Sequence, residues 1–224
     1  MKLVVVGGQS RDIGKTLVVS GIIRGLKSLD WTAVKITPHA PGFDSAGIDA
    51  AGAGPAERNF VLAEEKSPLA RGDTGRFLAS GARRSLWLRV QPGRLSEAIP
   101  ILKDALAADP FVIIESNRIL SFLEPAVSVF VLGNEERELK FSARRFLTRA
   151  DALVAVETGF DGPSIRGIDL RLLNDKPTFL FSRRSRINLE LCRWIRRKLE
   201  SAGDDPMAGI RTPWRELKEQ PWLR

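Results

Sequence analysis

Residues 8–17 carry the residue types that bind phosphate: Gly8, Gln9, Ser10, Arg11, Asp12, Ile13, Gly14, Lys15, Thr16 and Leu17. Glycines let backbone N–H groups approach an anion closely, Lys15 would reach β- and γ-phosphate oxygens, and the Thr16 hydroxyl would ligate Mg²⁺. The glycine spacing departs from the usual loop by one. Four residues are expected between the first glycine and the Gly-Lys pair, which points to Gln9, whereas the glycine stands at Gly8. An incidental glycine-rich turn is the competing reading. The context favours the phosphate site, because an apolar run, "KLVVV" (2–6), leads in and an amphipathic segment leads out. A helix that starts at such a loop offers free N–H groups and the positive end of its dipole.

A second group of candidates is acidic. "FVIIES" places Glu115 after four apolar positions, where a carboxylate at a strand end would hold Mg²⁺ or orient a water. Lys15 and Glu115 are therefore the candidate catalytic pair. Asp73, in "GDTGRFLASGA", and Asp44, after the second apolar run, would complete the metal shell with Thr16 and Glu115. Asp73 or Thr74 also suits a helix N-cap, and Asp49 is a further acidic residue nearby. Arg76 and Arg11 would neutralise phosphate charge, since a guanidinium matches phosphate geometry. His39 is the sole histidine, which excludes a two- or three-histidine metal site within the chain. Base recognition should fall near Asn117, Glu157 or Ser182, where no known pattern stands.

These residues need a frame. Strand-like runs at 2–6, 32–36, 85–90, 111–115, 127–132, 152–156 and 178–182 alternate with segments of helical period. Val19, Ile22, Ile23, Leu26 and Leu29 mark one apolar helix face. Leu95, Ala98, Ile99, Leu102 and Leu106 mark a second, and Ile187, Leu191, Ile195 and Leu199 a third over 186–200. The alternation predicts an α/β fold, a three-layer doubly wound, mostly parallel sheet with its ligand at the carboxyl ends of the strands. One domain over 1–203 is expected, with a tail at 204–224. Residues 37–72, rich in Gly, Ala and Pro without a sustained period, read as one long active-site loop.

Composition sets outer limits. The chain has 224 residues, 43% of them hydrophobic and 28% charged, as in an ordinary globular protein. No apolar stretch has the length of a transmembrane segment, "MKLVVV" does not read as a signal peptide, and a single cysteine, Cys192, excludes an internal disulfide. A cytoplasmic protein is the expectation. The net charge of +8 raises the question of nucleic acid. Residues 182–224 hold 11 Lys/Arg against 6 Asp/Glu, so the excess is mostly C-terminal. Arg193, Arg196, Arg197 and Lys198, with Trp194, give the last helix a basic face that a partner or membrane surface could use. A solvated face is the simpler account, and nucleic acid is disfavoured as a partner.

The loop "GGQSRDIGKT" resembles that of the P-loop NTPase superclass that contains dethiobiotin synthetase. A closer resemblance is to the molybdopterin-guanine dinucleotide biosynthesis adaptor protein B family. "VKITPHAPGFD" (34–44) stands where that family has a Lys-His-Thr-His-His-like stretch, and "GDTGRFLASGA" (72–82) where it has a K-D-S-x-R motif. "RRSLWLRV" then falls where its next strand does, and "VIIES" where a strand ends in Val-Glu-Gly. The resemblance covers about residues 2–118. It implies a P-loop NTPase-type fold that binds GTP or ATP with Mg²⁺, turns it over slowly, and serves a cofactor-biosynthesis protein in molybdenum-cofactor assembly. A homodimer is a further possibility within the superclass. The alternative is an ATP-dependent small-molecule enzyme of the dethiobiotin synthetase or kinase type.

Overall fold

A computed structural model describes residues 1–38, 59–133, 141–156, 175–182 and 184–203. Eight strands form one sheet: β1 (Lys2–Gly8), β2 (Thr32–Pro38), β3 (Phe60–Glu65), β4 (Arg84–Val90), β5 (Phe111–Glu115), β6 (Val127–Leu132), β7 (Ala152–Val156) and β8 (Thr178–Phe181). Their order is β3-β4-β2-β5-β1-β6-β7-β8. Every neighbouring pair is parallel except β3 with β4. Helices α1 (Lys15–Gly25), α2 (Asp73–Ala79), α3 (Leu95–Leu106), α4 (Phe141–Arg149) and α5 (Leu189–Ser201) belong to the described residues.

The sheet is buried on both faces, as a parallel sheet requires. Alternate residues of β1 separate cleanly: Leu3 and Val5 join the core under α3 and α4, and Val4 and Val6 join the one under α1 and α5. The five positions that marked the second helix are all buried on α3. On α1 the apolar face holds from Val19 to Leu26, but the helix ends at Gly25 and Leu29 lies in a short 3-10 turn, half-buried. Helix α5 starts at Leu189, not 186, because the Asn188 side chain caps it by accepting a hydrogen bond from Leu191 N–H at 2.7 Å.

Two local expectations are corrected. The stretch 37–72 is not one irregular loop: Phe60–Glu65 forms the antiparallel edge strand β3, which returns alongside β4. Its "FVLA" run is short, and an edge strand needs only one apolar face, so its period is weak. The helix at 73 is not capped by Asp73 or Thr74. Gly72, at φ 125°, occupies the cap position, which leaves the Asp73 carboxylate for another partner. His39, Asp44, Asp49 and Glu157, with the 204–224 tail, lie outside the described residues. No helix among the described residues is long and apolar enough to cross a membrane.

Candidate functional site

The loop between β1 and α1 lies at the carboxyl end of the central strand, where a doubly wound sheet places its ligand. Gly14 stands at the N-cap of α1 with φ 103°, a left-handed conformation that disfavours any side chain. A Cβ there would also come within 3.1 Å of Val156 on β7. At Gly8 a Cβ would lie 2.7 Å from the Ile13 side chain and 2.8 Å from the Val131 carbonyl. The first turn of α1 contains no acidic residue, so its free N–H groups remain available to an anion from outside.

The loop is anchored from both sides. Asn117, just beyond β5, accepts from Gly8 N–H and donates to Gly8 C=O, each at 2.8 Å. Buried Gln9 donates its backbone N–H to Val131 C=O at 3.1 Å, and its side-chain oxygen accepts from Gly133 N–H at 3.2 Å. Asn117 thus holds the first turn of the loop, a role that its position alone did not suggest. Ile13 is buried against Gly133, whereas Arg11 and Asp12 face solvent.

Polar side chains meet on one side of this loop. Lys15 folds back so that its ammonium donates to the Ser10 carbonyl. Burial lowers its pKa and the nearby Lys35 charge acts the same way, with Glu115 opposing them. The Thr16 hydroxyl donates to Glu115 Oε2 at 2.8 Å. Adjacent oxygen ligands of an octahedral Mg²⁺ at 2.0–2.1 Å stand about 2.9 Å apart, so Thr16 and Glu115 fit two neighbouring ligand positions. Among the described residues no three His, Cys, Asp or Glu side chains cluster as a metal centre.

Lys35 on β2 is the site residue that sequence reasoning missed. Its ammonium contacts Glu115 Oε1 and lies 2.7 Å from Asp73 Oδ2, joining the two carboxylates. Burial pulls the Lys35 pKa down, but Glu115 and Asp73 outweigh it and the net direction is up. A lysine within "TAVKI", a run that must be covered on both faces, was the available signal. Asp73 also stands 3.6 Å from Arg76 Nη1. The structure therefore joins Thr16, Glu115, Lys35 and Asp73 in one connected group, with Lys15 near enough for their charges to act on it. Arg76 lies at its edge, half-facing a cleft of about 480 Å³ that runs over Thr16, Leu17 and Ser20 to Arg24 and Arg186.

The structure is similar to that of HypB from Helicobacter pylori in complex with nickel, with a TM-score of 0.50 and 16% identity over 88% of this chain and 86% of that one. LpxK from Aquifex aeolicus in complex with ATP matches with a TM-score of 0.47 and 16% identity, over 80% of this chain and 53% of that one. No protein-family model matches the chain, and no curated protein matches its sequence. The sheet order, the loop after the central strand and the likeness to HypB define the class: the chain has the P-loop NTPase fold.

Proposed function

We propose that this protein binds a nucleoside triphosphate, ATP or GTP, together with Mg²⁺ at residues 8–17. One observation carries the reading. The desolvated Lys15 ammonium, the uncompensated N-terminus of α1 and the Thr16–Glu115 pair converge at one point. The β- and γ-phosphates would displace the Ser10 carbonyl from Lys15 and take the free N–H groups of the first turn. Thr16 and Glu115 would hold Mg²⁺, with Asp73 near enough through Lys35 to tune its charge. Arg76 would neutralise phosphate charge at the cleft edge, and the nucleoside would extend along Leu17 and Ser20.

Turnover at such a site is slow unless something positions the attacking group, and Glu115 would orient a water if Thr16 or Lys35 released one of its oxygens. The sequence resemblance supports an adaptor role, in which slow hydrolysis would let the nucleotide state govern a partner in molybdopterin-guanine dinucleotide assembly. A second reading is favoured by Lys35. A buried cation between two carboxylates beside the phosphate loop suits transfer of a phosphoryl group to a small-molecule acceptor, as in an ATP-dependent enzyme of the dethiobiotin synthetase or kinase type.

Thermal melting with each nucleotide tests the binding step. At 100 times Kd the ligand adds about 2.7 kcal/mol, a rise of roughly 5–10 °C for a chain of this length. Lys15→Ala should lose most of the rise; an equal rise in both proteins would place the nucleotide elsewhere. Single turnover with labelled ATP and GTP then separates the two readings. Label on an organic acceptor supports the enzyme, and slow release of phosphate alone supports the adaptor.

A further inference from the structure

Arg89, near the carboxyl end of β4, is 6% exposed, yet its guanidinium has no carboxylate and no hydrogen-bond acceptor among the described residues. Its Nε is buried and unsatisfied. A buried N–H without an acceptor costs about 1–3 kcal/mol, and among the described residues no carboxylate offsets the charge that the guanidinium carries. The acids of the neighbouring described elements are engaged elsewhere: Glu65 with Lys66 N–H, Ser67 N–H and the Thr74 hydroxyl, Glu64 with Lys66 and Arg84, Asp73 with Lys35 and Arg76.

The surroundings of Arg89 orient it without neutralising it. Its guanidinium carbon lies 4.9 Å from the centre of the Trp87 ring, two residues back on the same face of β4. The Trp87 indole is fixed in turn, donating to Thr37 Oγ1 at 2.8 Å. Thr37 is the register partner of Arg89 on β2, and it keeps its own hydroxyl proton for a further acceptor. Lys35 is likewise the partner of Trp87, so Arg89 and Thr37 continue the polar row that begins at Glu115 and Lys35. From β1 to β4 is three strand spacings, about 14 Å. That is the reach of a small molecule whose other end meets the phosphate loop.

We propose that Arg89, braced on Trp87 and assisted by Thr37, recognises an anionic group, a carboxylate or a phosphate, on a second small-molecule ligand. The ligand lies over the carboxyl ends of β2 and β4 beside the nucleotide. Its place as a co-ligand rests on the nucleotide reading above; the anion site itself does not. A guanidinium offers such a group two parallel hydrogen bonds, which supplies the acceptor that Arg89 Nε lacks among the described residues.

The test is an NMR titration of the whole 224-residue chain, ¹⁵N-labelled at its tryptophan indoles, with Trp87→Phe assigning the resonance. Inorganic phosphate and succinate serve as separate probes, each with and without saturating Mg-ATP. At least one should shift the Trp87 signal saturably. The apparent Kd should rise about 10–100-fold in Arg89→Gln and stay unchanged in Lys15→Ala. Phosphate alone acting identifies a phosphorylated ligand, and succinate alone a carboxylated one. No shift with either probe, wild-type titration by Arg89→Gln, or loss of the shift in Lys15→Ala overturns the proposal. Melting of Arg89→Met without anions is the second readout: a Tm equal to or above wild type is expected, and a lower one makes Arg89 structural. Because the titration without nucleotide reports on Arg89 alone, it stands even if the Lys15-dependent melting shift fails.

Discussion

The two flanks of the central strand serve the phosphate loop by different means. On the β5–β2–β4 side, polar side chains reach into the site: Glu115, Lys35, Asn117 and, from α2, Asp73. On the β6–β7–β8 side, strand β6 is buried throughout and touches the loop through its backbone, at Val131 C=O and Gly133 N–H. Val156 adds only a packing surface under Gly14. One flank therefore holds the chemistry, and the other holds the shape. The reason is geometric. An apolar strand offers a neighbour only main-chain hydrogen bonds and volume, whereas a strand end that carries charge can select a ligand.

The strongest challenge to this division is a substitution that belongs to both flanks. Gly14→Val forces a side chain into a left-handed conformation and against Val156, so the nucleotide-dependent melting shift should vanish and the apo protein should lose on the order of 2 kcal/mol or more. Retained binding would mean that the loop is not shaped from the β7 side. Glu115→Gln, on the chemical flank, should weaken Mg²⁺-dependent nucleotide affinity roughly 10–100-fold while affinity measured in EDTA stays level. An equal loss with and without Mg²⁺ would reassign Glu115 to simple charge.

Asn117→Ala sits between the two classes. It leaves the N–H and C=O of Gly8 without partners, and each unsatisfied group costs about 1–3 kcal/mol in urea unfolding. Val156→Ala, on the shape flank, should cost about 1–3 kcal/mol by leaving a cavity, with nucleotide affinity nearly unchanged. If Val156→Ala were to weaken binding as Glu115→Gln does, the contrast between flanks would collapse.

Proton linkage gives smaller effects that separate the same regions. Burial holds the Lys15 pKa below 10.5, so the charge that attracts phosphate is lost as pH rises through that lowered value. Nucleotide affinity should therefore begin to fall at a pH below that of an ordinary lysine, and a flat profile up to pH 10.5 would count against Lys15 as the phosphate ligand. Far from the site, burial raises the Cys192 thiol from 9.0 to about 11. Its folded pKa lies above its unfolded one, so the folded state keeps the proton longer and stability falls between pH 9 and 11. At pH 8 the thiolate fraction is about 100-fold below that of a free cysteine, and disulfide-reagent labelling should be slowed accordingly. Fast labelling would show that α5 separates readily from α1, where the sulfur packs on Gly25.

Most strands and the inward faces of α1, α3 and α5 were legible because a buried parallel strand and an amphipathic helix impose periods of composition on the chain. The placement of the loop between β1 and α1 and of Glu115 at the end of β5 was legible because apolar runs mark the strands that lead into them. The edge strand β3 was not, since one covered face leaves little pattern in six residues. Nor was the cap at Gly72, where a glycine conformation replaced a side-chain hydrogen bond.

By itself the sequence determined seven of the eight strands, the glycine-rich turn before α1 and the acid that ends β5, because each is a local pattern. Only the tertiary structure decided that Lys35 joins Glu115 to Asp73, that Asn117 holds Gly8, and that the buried Nε of Arg89 meets no acceptor among the described residues. Those pairings link residues up to 109 positions apart. They depend on strand order and register, and no local pattern of residues encodes which strand lies beside which.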